Sequence, residues 1–183
     1  SVVYNGEIYN FQELKEELKD YPFRSTCDTE VIIAAYLKWG IDCISRLNGM
    51  FAICIFDRED DTVYLVRDRI GKKPLYYELS DGNLIFGSEL KPLMAREGFQ
   101  KRIRKDVLSR YLFQQYINAP DSIFEQVYKL EPGGILQFHY GEVKTWKYWD
   151  IKNVYHEMRK NPVTDYEQAK SELKALLQKA VKS

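Results

Sequence analysis

An α+β domain is the fold class that the sequence predicts, because strand-like and helix-like patterns both occur along the chain. Short apolar runs bounded by turn residues indicate strands, and several come as neighbouring pairs, as in hairpins. Other segments repeat their apolar residues at three- or four-residue spacing, as amphipathic helices do. The chain has 183 residues, 45% of them hydrophobic, which suits one compact core or one domain with an appendage.

A strand and two helices are predicted first. Val2 to Tyr4 is β-branched and aromatic and runs into Asn5-Gly6, a turn signal. A helix is predicted over Phe11–Leu18, because two of its leucines are four residues apart. Asp28 can cap a second helix over Thr29–Trp39, and the glycine that follows suits the left-handed conformation that ends many helices.

Two hairpins are predicted next. Met50–Phe56 is nearly all apolar, so we expect a strand that is buried on both faces. A turn of charged residues separates it from a partner strand, Thr62–Val66. The second hairpin joins Leu75–Leu79 to Leu84–Phe86 through the turn Ser80-Asp81-Gly82-Asn83.

One more helix and one more strand are expected in this domain. The helix is predicted near Val107–Tyr116. Pro132-Gly133-Gly134 then introduces a strand over Ile135–Phe138, and Gly141 lies in the turn after it.

The composition changes after Asp150, and we divide the chain there into a domain, 1–150, and a further segment, 151–183. Residues 152–162 are polar and poor in core residues, which is typical of a linker. Asp165 then opens an amphipathic helix whose apolar stripe has no partner within its own segment. A helix that ends at Ser183 with such a stripe indicates a domain cut short. The stripe consists of Ala169, Leu173, Leu176, Leu177 and Ala180.

Charge and cysteine content argue against several classes of function. Lys+Arg and Asp+Glu are both 27, so the net charge gives no reason to expect nucleic acid or an anionic membrane as a partner. The sequence has no apolar run of membrane-spanning length, and we expect neither a membrane span nor a signal peptide. Cys27, Cys43 and Cys54 are odd in number and lack CxxC spacing. We therefore expect reduced, core or near-core thiols in a cytoplasmic protein, and neither a disulfide framework nor a zinc site.

General catalytic patterns give no strong candidate. The two histidines, His139 and His156, lie in a late strand and in the predicted linker, so a structural or surface role is expected for each. Gly71-Lys72-Lys73 lacks the glycine spacing of a phosphate-binding loop and is interpreted as a turn.

A series of local motifs in a fixed order is more informative. In chain order the motifs are Val3-Tyr4-Asn5-Gly6-Glu7-Ile8-Tyr9-Asn10, Asp28-Thr29-Glu30-Val31-Ile32, Leu47-Asn48-Gly49-Met50-Phe51-Ala52, Arg67-Asp68-Arg69-Ile70-Gly71-Lys72-Lys73-Pro74-Leu75-Tyr76-Tyr77, Phe86-Gly87-Ser88-Glu89-Leu90-Lys91, Leu130-Glu131-Pro132-Gly133-Gly134 and Tyr148-Trp149-Asp150. Together they resemble the class II glutamine amidotransferases, and most closely the asparagine synthetase family. The resemblance implies the N-terminal-nucleophile hydrolase architecture (αββα), with two stacked antiparallel sheets between helix layers, here incomplete at its N-terminus.

The resemblance also assigns roles to four residues. In this family an N-terminal cysteine attacks the side-chain amide of glutamine, and its own α-amino group is the base. Asn5 would donate its side-chain amide, and Gly6 its backbone N–H, to the oxyanion that forms. Glu7 and Asp28 would hold the α-ammonium of glutamine. The structural alternatives are a tight turn for Asn5-Gly6 and a helix cap for Asp28.

Several parts of the family pattern are absent from this sequence. The family's nucleophilic cysteine and its carboxylate-binding arginine belong to a segment upstream of Asn5, and Ser1 is not expected to replace the cysteine. The family's ATP-pyrophosphate loop would follow the last helix. We therefore expect this fragment alone to be inactive, with no cofactor and no metal of its own.

The implied parent protein is a glutamine-dependent asparagine synthetase. It would hydrolyse glutamine, channel the ammonia and amidate an aspartate activated with ATP and Mg²⁺. The expected partners are therefore glutamine, aspartate and ATP. Members of this family often form dimers, so a homodimer is also expected.

Two alternatives stay open. One is another class II glutamine amidotransferase, such as a phosphoribosyl or glucosamine-phosphate amidotransferase, against which the Pro-Gly-Gly and Tyr-Trp-Asp motifs argue. The other is a catalytically dead, glutaminase-like structural domain, which the intact residues Asn5, Gly6, Glu7 and Asp28 disfavour. The segment from Arg67 to Pro74 is either part of an interdomain seam or a strand end with a stiff turn, and a role for Ser88 and Glu89 is left undecided.

Overall fold

A computed structural model describes residues 1–182 of the chain, so the end of the last predicted helix, at Ser183, lies outside the described residues. The chain forms two compact units, Ser1–Trp149 and a second unit from Asp150 onward. The strands of the first unit are β1 (Val2–Ile8), β2 (Gly49–Asp57), β3 (Thr62–Arg67), β4 (Tyr76–Ser80), β5 (Asn83–Gly87), β6 (Val127–Lys129), β7 (Gly134–His139) and β8 (Glu142–Lys147). Its helices are α1 (Phe11–Glu17), α2 (Asp28–Trp39), α3 (Leu90–Met94), α4 (Lys105–Gln114) and a 3₁₀ helix (Gly40–Arg46). The second unit contains α5 (Ile151–Met158) and α6 (Tyr166–Lys182).

Two antiparallel sheets form the centre of the first unit. The larger sheet has the strand order β1-β2-β3-β7-β8, and the smaller has the order β5-β4-β6. Ala52, Cys54 and Leu136 of the larger sheet pack against residues of the smaller sheet, such as Tyr77 and Phe86. The two sheets therefore stack face to face.

Helices cover the outer faces of this sandwich. Ile53 and Ile55 of β2 alternate with the residues that face the smaller sheet, and they pack against Val31 and Ala35 of α2. On the other side, Leu93 of α3 packs beneath the smaller sheet. The order of layers is helices, sheet, sheet and helix, which confirms the αββα expectation.

The predicted hairpins and the second helix are confirmed. β2 pairs with β3, and β4 pairs with β5 through a turn at Asp81 and Gly82. The centre of β2 is buried on both faces, as its apolar sequence predicted. The helix predicted near Val107–Tyr116 is present as α4, displaced by two residues.

The predicted turn at Asn5-Gly6 is wrong. β1 continues through both residues to Ile8, and Asn5 and Gly6 pair with Ala52 and Phe51 of β2. The hydrogen bonds of a full partner strand outweigh the local turn preference of this dipeptide. Glycine is needed here for close approach instead, because a Cβ on Gly6 would lie 2.1 Å from the carbonyl oxygen of Met50.

Further predictions are corrected around the helices and in the second unit. Cys27, not Asp28, caps α2: its sulfur accepts a hydrogen bond from the Thr29 N–H, and its side chain is exposed rather than near-core. The prediction of a linker over 152–162 is wrong for its first part, where most of α5 lies. The Asp150 carboxylate stabilises the start of this helix, because it accepts a hydrogen bond from the Lys152 N–H. Four further elements, the 3₁₀ helix, α3, β6 and β8, were not predicted.

A buried polar node fixes the turn that follows β3. Asp68 is 1% exposed, and its carboxylate accepts hydrogen bonds from four backbone N–H groups, those of Phe51, Ile70, Lys72 and Lys73, at 2.9–3.3 Å. The neighbouring Arg67 donates to three backbone carbonyls, those of Gly71, Lys73 and Leu130, at 2.7–2.9 Å. These contacts support the interpretation of this motif as a stiff turn, while its role at an interdomain seam stays a prediction.

Replacing Asp68 by Asn should destabilise the fold by about 3 kcal/mol, because an NH₂ group would face backbone donors that have no other acceptor. Urea unfolding at pH 7 measures this free energy. Asp61→Asn is the matched control: this residue is exposed in the β2–β3 turn at φ 49°, which Asn also tolerates. Equal unfolding midpoints for the two variants would contradict the role of the node.

Candidate active site at the edge of the larger sheet

β1 is an edge strand, since β2 is its only pairing partner among residues 1–182. In an antiparallel ladder, the main-chain groups of successive residues point alternately toward the partner strand and away from it. Ser1 exchanges hydrogen bonds with Phe56 at one end, and the Tyr9 N–H donates to the Asn48 carbonyl at the other. The alternation therefore directs the main-chain groups of residues 3, 5 and 7 toward β2, and those of residues 2, 4, 6 and 8 toward the open edge.

The Gly6 N–H is one of the donors at this open edge. Two residues further on, the Ile8 N–H also points outward and donates to the Asp28 carboxylate at 3.0 Å. This bond confirms the direction deduced from the alternation. Gly6 has no side chain that could shield its amide, so the N–H can reach a ligand oxygen that lies against the edge.

The Asn5 side chain lies beside this edge, on the face toward the smaller sheet. Its pairing partner, Ala52, belongs to the cluster between the two sheets, and directly paired residues share a face. The Asn5 Nδ2 donates to the Ser88 Oγ at 3.0 Å. An amide nitrogen carries two hydrogens, so one N–H is held by Ser88 and the other can serve a ligand.

Asp28 reaches the same strand from the helix layer. Its Oδ2 accepts from the Tyr4 hydroxyl at 2.8 Å and from the Ile8 N–H at 3.0 Å. Tyr4, Gly6 and Ile8 share the helix-facing side of β1, so the first turn of α2 brings the carboxylate close to the strand. Two elements that are twenty residues apart in sequence are thus joined at one edge.

The hydrogen bonds keep Asp28 ionised. Partial burial opposes ionisation, but the bonds from Ile8, Tyr4, Cys27 and Thr29 outweigh it and hold the Asp28 pKa below its ordinary value. Burial and the neighbouring Asp28 carboxylate raise the Tyr4 pKa, so this hydroxyl stays protonated and donates. The site therefore combines a fixed negative charge with neutral N–H donors.

Glu7 is exposed on the same face of β1 as Asn5, beyond Gly6. Its negative charge contributes to the raised pKa of Tyr4, which places it within electrostatic reach of that residue. Glu7 and Asp28 therefore lie on opposite faces of the larger sheet, both near Tyr4. An ammonium group is the kind of ligand that such a pair of carboxylates would attract.

The remaining sequence candidates lie away from this site. The Ser1 amine donates to the Phe56 carbonyl at 2.7 Å, and four strand residues place it roughly 13 Å from Asn5. His139 Nδ1 lies 2.9 Å from the Thr62 Oγ1 in the β3–β7 pair, a structural contact. His156 lies exposed on α5, in the second unit. Cys43 and Cys54 are buried, which raises their pKa values to about 12 and about 11.

Two contacts of the site were not predicted from the sequence, the hydroxyl groups of Tyr4 and Ser88. Tyr4 lies in the first motif, two residues before Gly6, so strand periodicity could have placed it on the Gly6 face had the turn not been predicted. Ser88 is 83 residues from Asn5 in sequence, and no local pattern links them.

Within the described part of the chain, no group of three or more His, Cys, Asp or Glu side chains is arranged to hold a metal ion. Across residues 1–182, no helix combines the length and the apolar character needed to cross a membrane.

Residues 1–149 match the model of the glutamine amidotransferase domain family. The chain belongs to this family. An asparagine synthetase described as glutamine-hydrolysing and putative, from Methanocaldococcus jannaschii, is 38% identical over 185 residues, which span 99% of this chain and 35% of that protein. Asparagine synthetase [glutamine-hydrolyzing] 3 of Bacillus subtilis is 32% identical over 159 residues, 85% of this chain and 26% of that protein. The matched part of this chain therefore spans only about a third and a quarter of the length of these two relatives.

A solved structure supports the fold independently. The glutamine phosphoribosylpyrophosphate amidotransferase of B. subtilis superimposes with a TM-score of 0.55 at 20% sequence identity, over 81% of this chain and 29% of that one. At that identity the likeness concerns the fold alone. The shared architecture agrees with the αββα layers of residues 1–149.

Replacing Tyr4 by Phe should raise the pKa of Asp28, because one bond that stabilises its ionised form is lost. Ionised Asp28 stabilises the fold above the pKa of an unfolded aspartate, about 3.9, and this contribution is lost as the pH falls through its lower folded pKa. Tyr4→Phe should move that loss to higher pH. An NMR titration of the Asp28 carboxyl carbon measures the shift.

Tyr36→Phe is the matched control, since the Tyr36 hydroxyl donates to the Asp57 Oδ2 at the same distance of 2.8 Å. This variant should move the Asp57 pKa upward and leave that of Asp28 in place. An Asp28 pKa that does not respond to Tyr4→Phe would exclude the hydroxyl as its stabilising partner.

Proposed function

We propose that this chain is the glutaminase part of an asparagine synthetase, which hydrolyses glutamine and uses the ammonia to amidate an aspartate. The observation that carries the proposal is the pair of N–H donors at the open edge of β1, the Asn5 side chain and the Gly6 main chain, with the Asp28 carboxylate on the same strand. The synthetase part of the proposal is supported by the names and the similarity of the relatives.

The proposed reaction begins when a cysteine thiolate attacks the side-chain amide carbon of glutamine. The carbonyl π electrons move to oxygen, and the resulting oxyanion accepts hydrogen bonds from Asn5 and Gly6. When the intermediate collapses, the C–N bond breaks and a thioester remains. The nitrogen takes the proton that the cysteine's α-amino group had removed from the thiol, and it leaves as ammonia. Water then hydrolyses the thioester through a second oxyanion at the same donors, which gives glutamate and restores the thiol.

The proposed nucleophile comes from outside the described residues. Cys43 and Cys54 are buried with raised pKa values, so neither presents a thiolate at neutral pH. The Cys27 sulfur accepts from the Thr29 N–H and caps α2. Because the nucleophile of this family is an N-terminal cysteine, we propose that such a cysteine lies at the open edge of β1, next to Gly6.

Substrate binding is assigned to the two carboxylates. Asp28 is held in its ionised form by four hydrogen-bond partners and would accept from the α-ammonium of glutamine. Glu7, exposed on the other face of β1, would complete the hold on this group. The carboxylates therefore select a ligand with a cationic end, and the donors act on its amide.

Residues 1–150 are proposed to form the glutaminase domain, and residues 151–183 to begin the synthetase domain. ATP and Mg²⁺ would serve the aspartate activation, and we assign no step of that chemistry to residues 1–182. The three free cysteines are consistent with a cytoplasmic enzyme, and a homodimer is the proposed assembly.

Replacing Asn5 by Ala in the full-length enzyme should lower kcat for glutamine hydrolysis by roughly 100- to 1000-fold. The KM for glutamine should change far less, because the charge that Asn5 stabilises forms only in the transition state. Synthesis driven by free ammonia should continue. Asn83→Ala, which removes an exposed amide from the β4–β5 turn, is the matched control. Equal loss of the ammonia-driven and glutamine-driven reactions would show that Asn5 is structural.

Asp28→Asn, in contrast to Asn5→Ala, should mainly raise the KM for glutamine, because a neutral amide binds an ammonium group more weakly than a carboxylate does. Steady-state kinetics at varied glutamine concentrations measure the effect. Asp57→Asn, at the other tyrosine-bonded aspartate, should leave the KM unchanged. An unchanged KM in Asp28→Asn would remove this residue from the substrate site.

A further inference from the structure

The contact between Asn5 and Ser88 connects two distant motifs of the sequence. Asn5 lies on the edge strand of the larger sheet, whereas Ser88 lies directly after β5 of the smaller sheet and before α3. Their side chains meet through the Nδ2–Oγ hydrogen bond of 3.0 Å. This bond gives the Phe86-Gly87-Ser88-Glu89 motif a contact with the oxyanion donor.

The main chain of Asn5 is fixed, but its amide group is not fixed by the sheet. The ladder between β1 and β2 holds the Asn5 backbone against Ala52. Rotation about the last side-chain bond can still present either N–H or C=O to the open edge, because this torsion is broad and nearly two-fold. An oxyanion needs the N–H, since a carbonyl oxygen in that place would repel it.

Ser88 itself is held by packing. The preceding Gly87 ends β5 in contact with α3: a Cβ on Gly87 would lie 3.2 Å from the Leu93 Cδ1, and Leu93 is fully buried. Glu89 then occupies the N-cap position of α3 with extended backbone angles and without a side-chain capping bond. The Oγ of the half-buried Ser88 is therefore presented to Asn5 from a packed strand–helix junction, whereas Asn5 is exposed.

We propose that Ser88 is a positioning residue for glutamine hydrolysis, which holds the Asn5 amide with one N–H on its own Oγ and the other directed toward the oxyanion. The proposal rests on the proposed function of Asn5. Because the oxyanion forms in both the attack on glutamine and the hydrolysis of the thioester, Ser88 acts on both steps through Asn5. Its effect falls on kcat and leaves the binding of glutamine unchanged.

The test is a double-mutant cycle on glutamine hydrolysis by the full-length enzyme, with the variants Ser88→Ala, Asn5→Ala and the pair. Ser88→Ala should lower kcat on the order of 10-fold with the KM unchanged, less than the loss from removing the donor itself. In the Asn5→Ala background, Ser88→Ala should have no further effect. Ser88→Thr retains a hydroxyl and should recover most of the lost kcat.

Ser80→Ala is the matched control, because it removes a hydroxyl from the β4–β5 hairpin that precedes Ser88, where Ser80 donates to Asp81 on the surface. It should leave kcat unchanged. Ammonia-driven synthesis by each variant reports the folded fraction, so that kcat is corrected for any misfolded enzyme.

The outcomes separate this proposal from the function on which it rests. If Asn5→Ala has no effect on glutamine hydrolysis, the oxyanion assignment fails. If Asn5→Ala lowers kcat but Ser88→Ala does not, or if the two losses add independently, the positioning role of Ser88 alone is overturned. A Ser88→Ala variant that raises the KM and leaves kcat intact would also overturn it.

Discussion

The buried carboxylate of Asp68 is the interaction on which the arrangement of the first unit depends. Four backbone N–H groups converge on it, and the adjacent Arg67 satisfies three carbonyls of the surrounding turns. The Gly133 N–H donates to the Asp68 carbonyl, and the Tyr148 hydroxyl donates to that of Arg67. The charged side chain of Asp68 can be buried only because these main-chain donors satisfy its carboxylate.

This node also determines the position of the candidate site. Asp68 binds both the N–H and the carbonyl of Phe51, and Phe51 is the residue that pairs with Gly6. Asp68 is therefore connected to the oxyanion donor Gly6 through a single strand residue, Phe51, which bonds to Asp68 on one side and pairs with Gly6 on the other. Rigid strands place the donors before the charge develops, and this preorganisation is what transition-state stabilisation requires.

Most of the fold could be predicted from local patterns, whereas the errors at Asn5-Gly6 and at Cys27 have separate causes. The β2–β3 and β4–β5 hairpins and the helix α2 follow from periodicity and turn residues, because their hydrogen bonds are local. Asn5-Gly6 was misjudged because β1 pairs with a strand about fifty residues away, and Gly6 is required there by the closeness of the Met50 carbonyl. Cys27 was assigned to the core on residue type, although its place at the start of α2 exposes it.

The sequence by itself determined which residue types are available for the chemistry: an amide at position 5, a glycine at position 6, and carboxylates at positions 7 and 28, within an ordered motif series. Only the tertiary structure decided how they meet. Strand alternation turns the Gly6 N–H outward, the start of α2 brings Asp28 to Ile8, and the sandwich of two sheets brings Ser88 to Asn5. These contacts span 20 and 83 residues, so packing of the core fixes them and no local pattern encodes them.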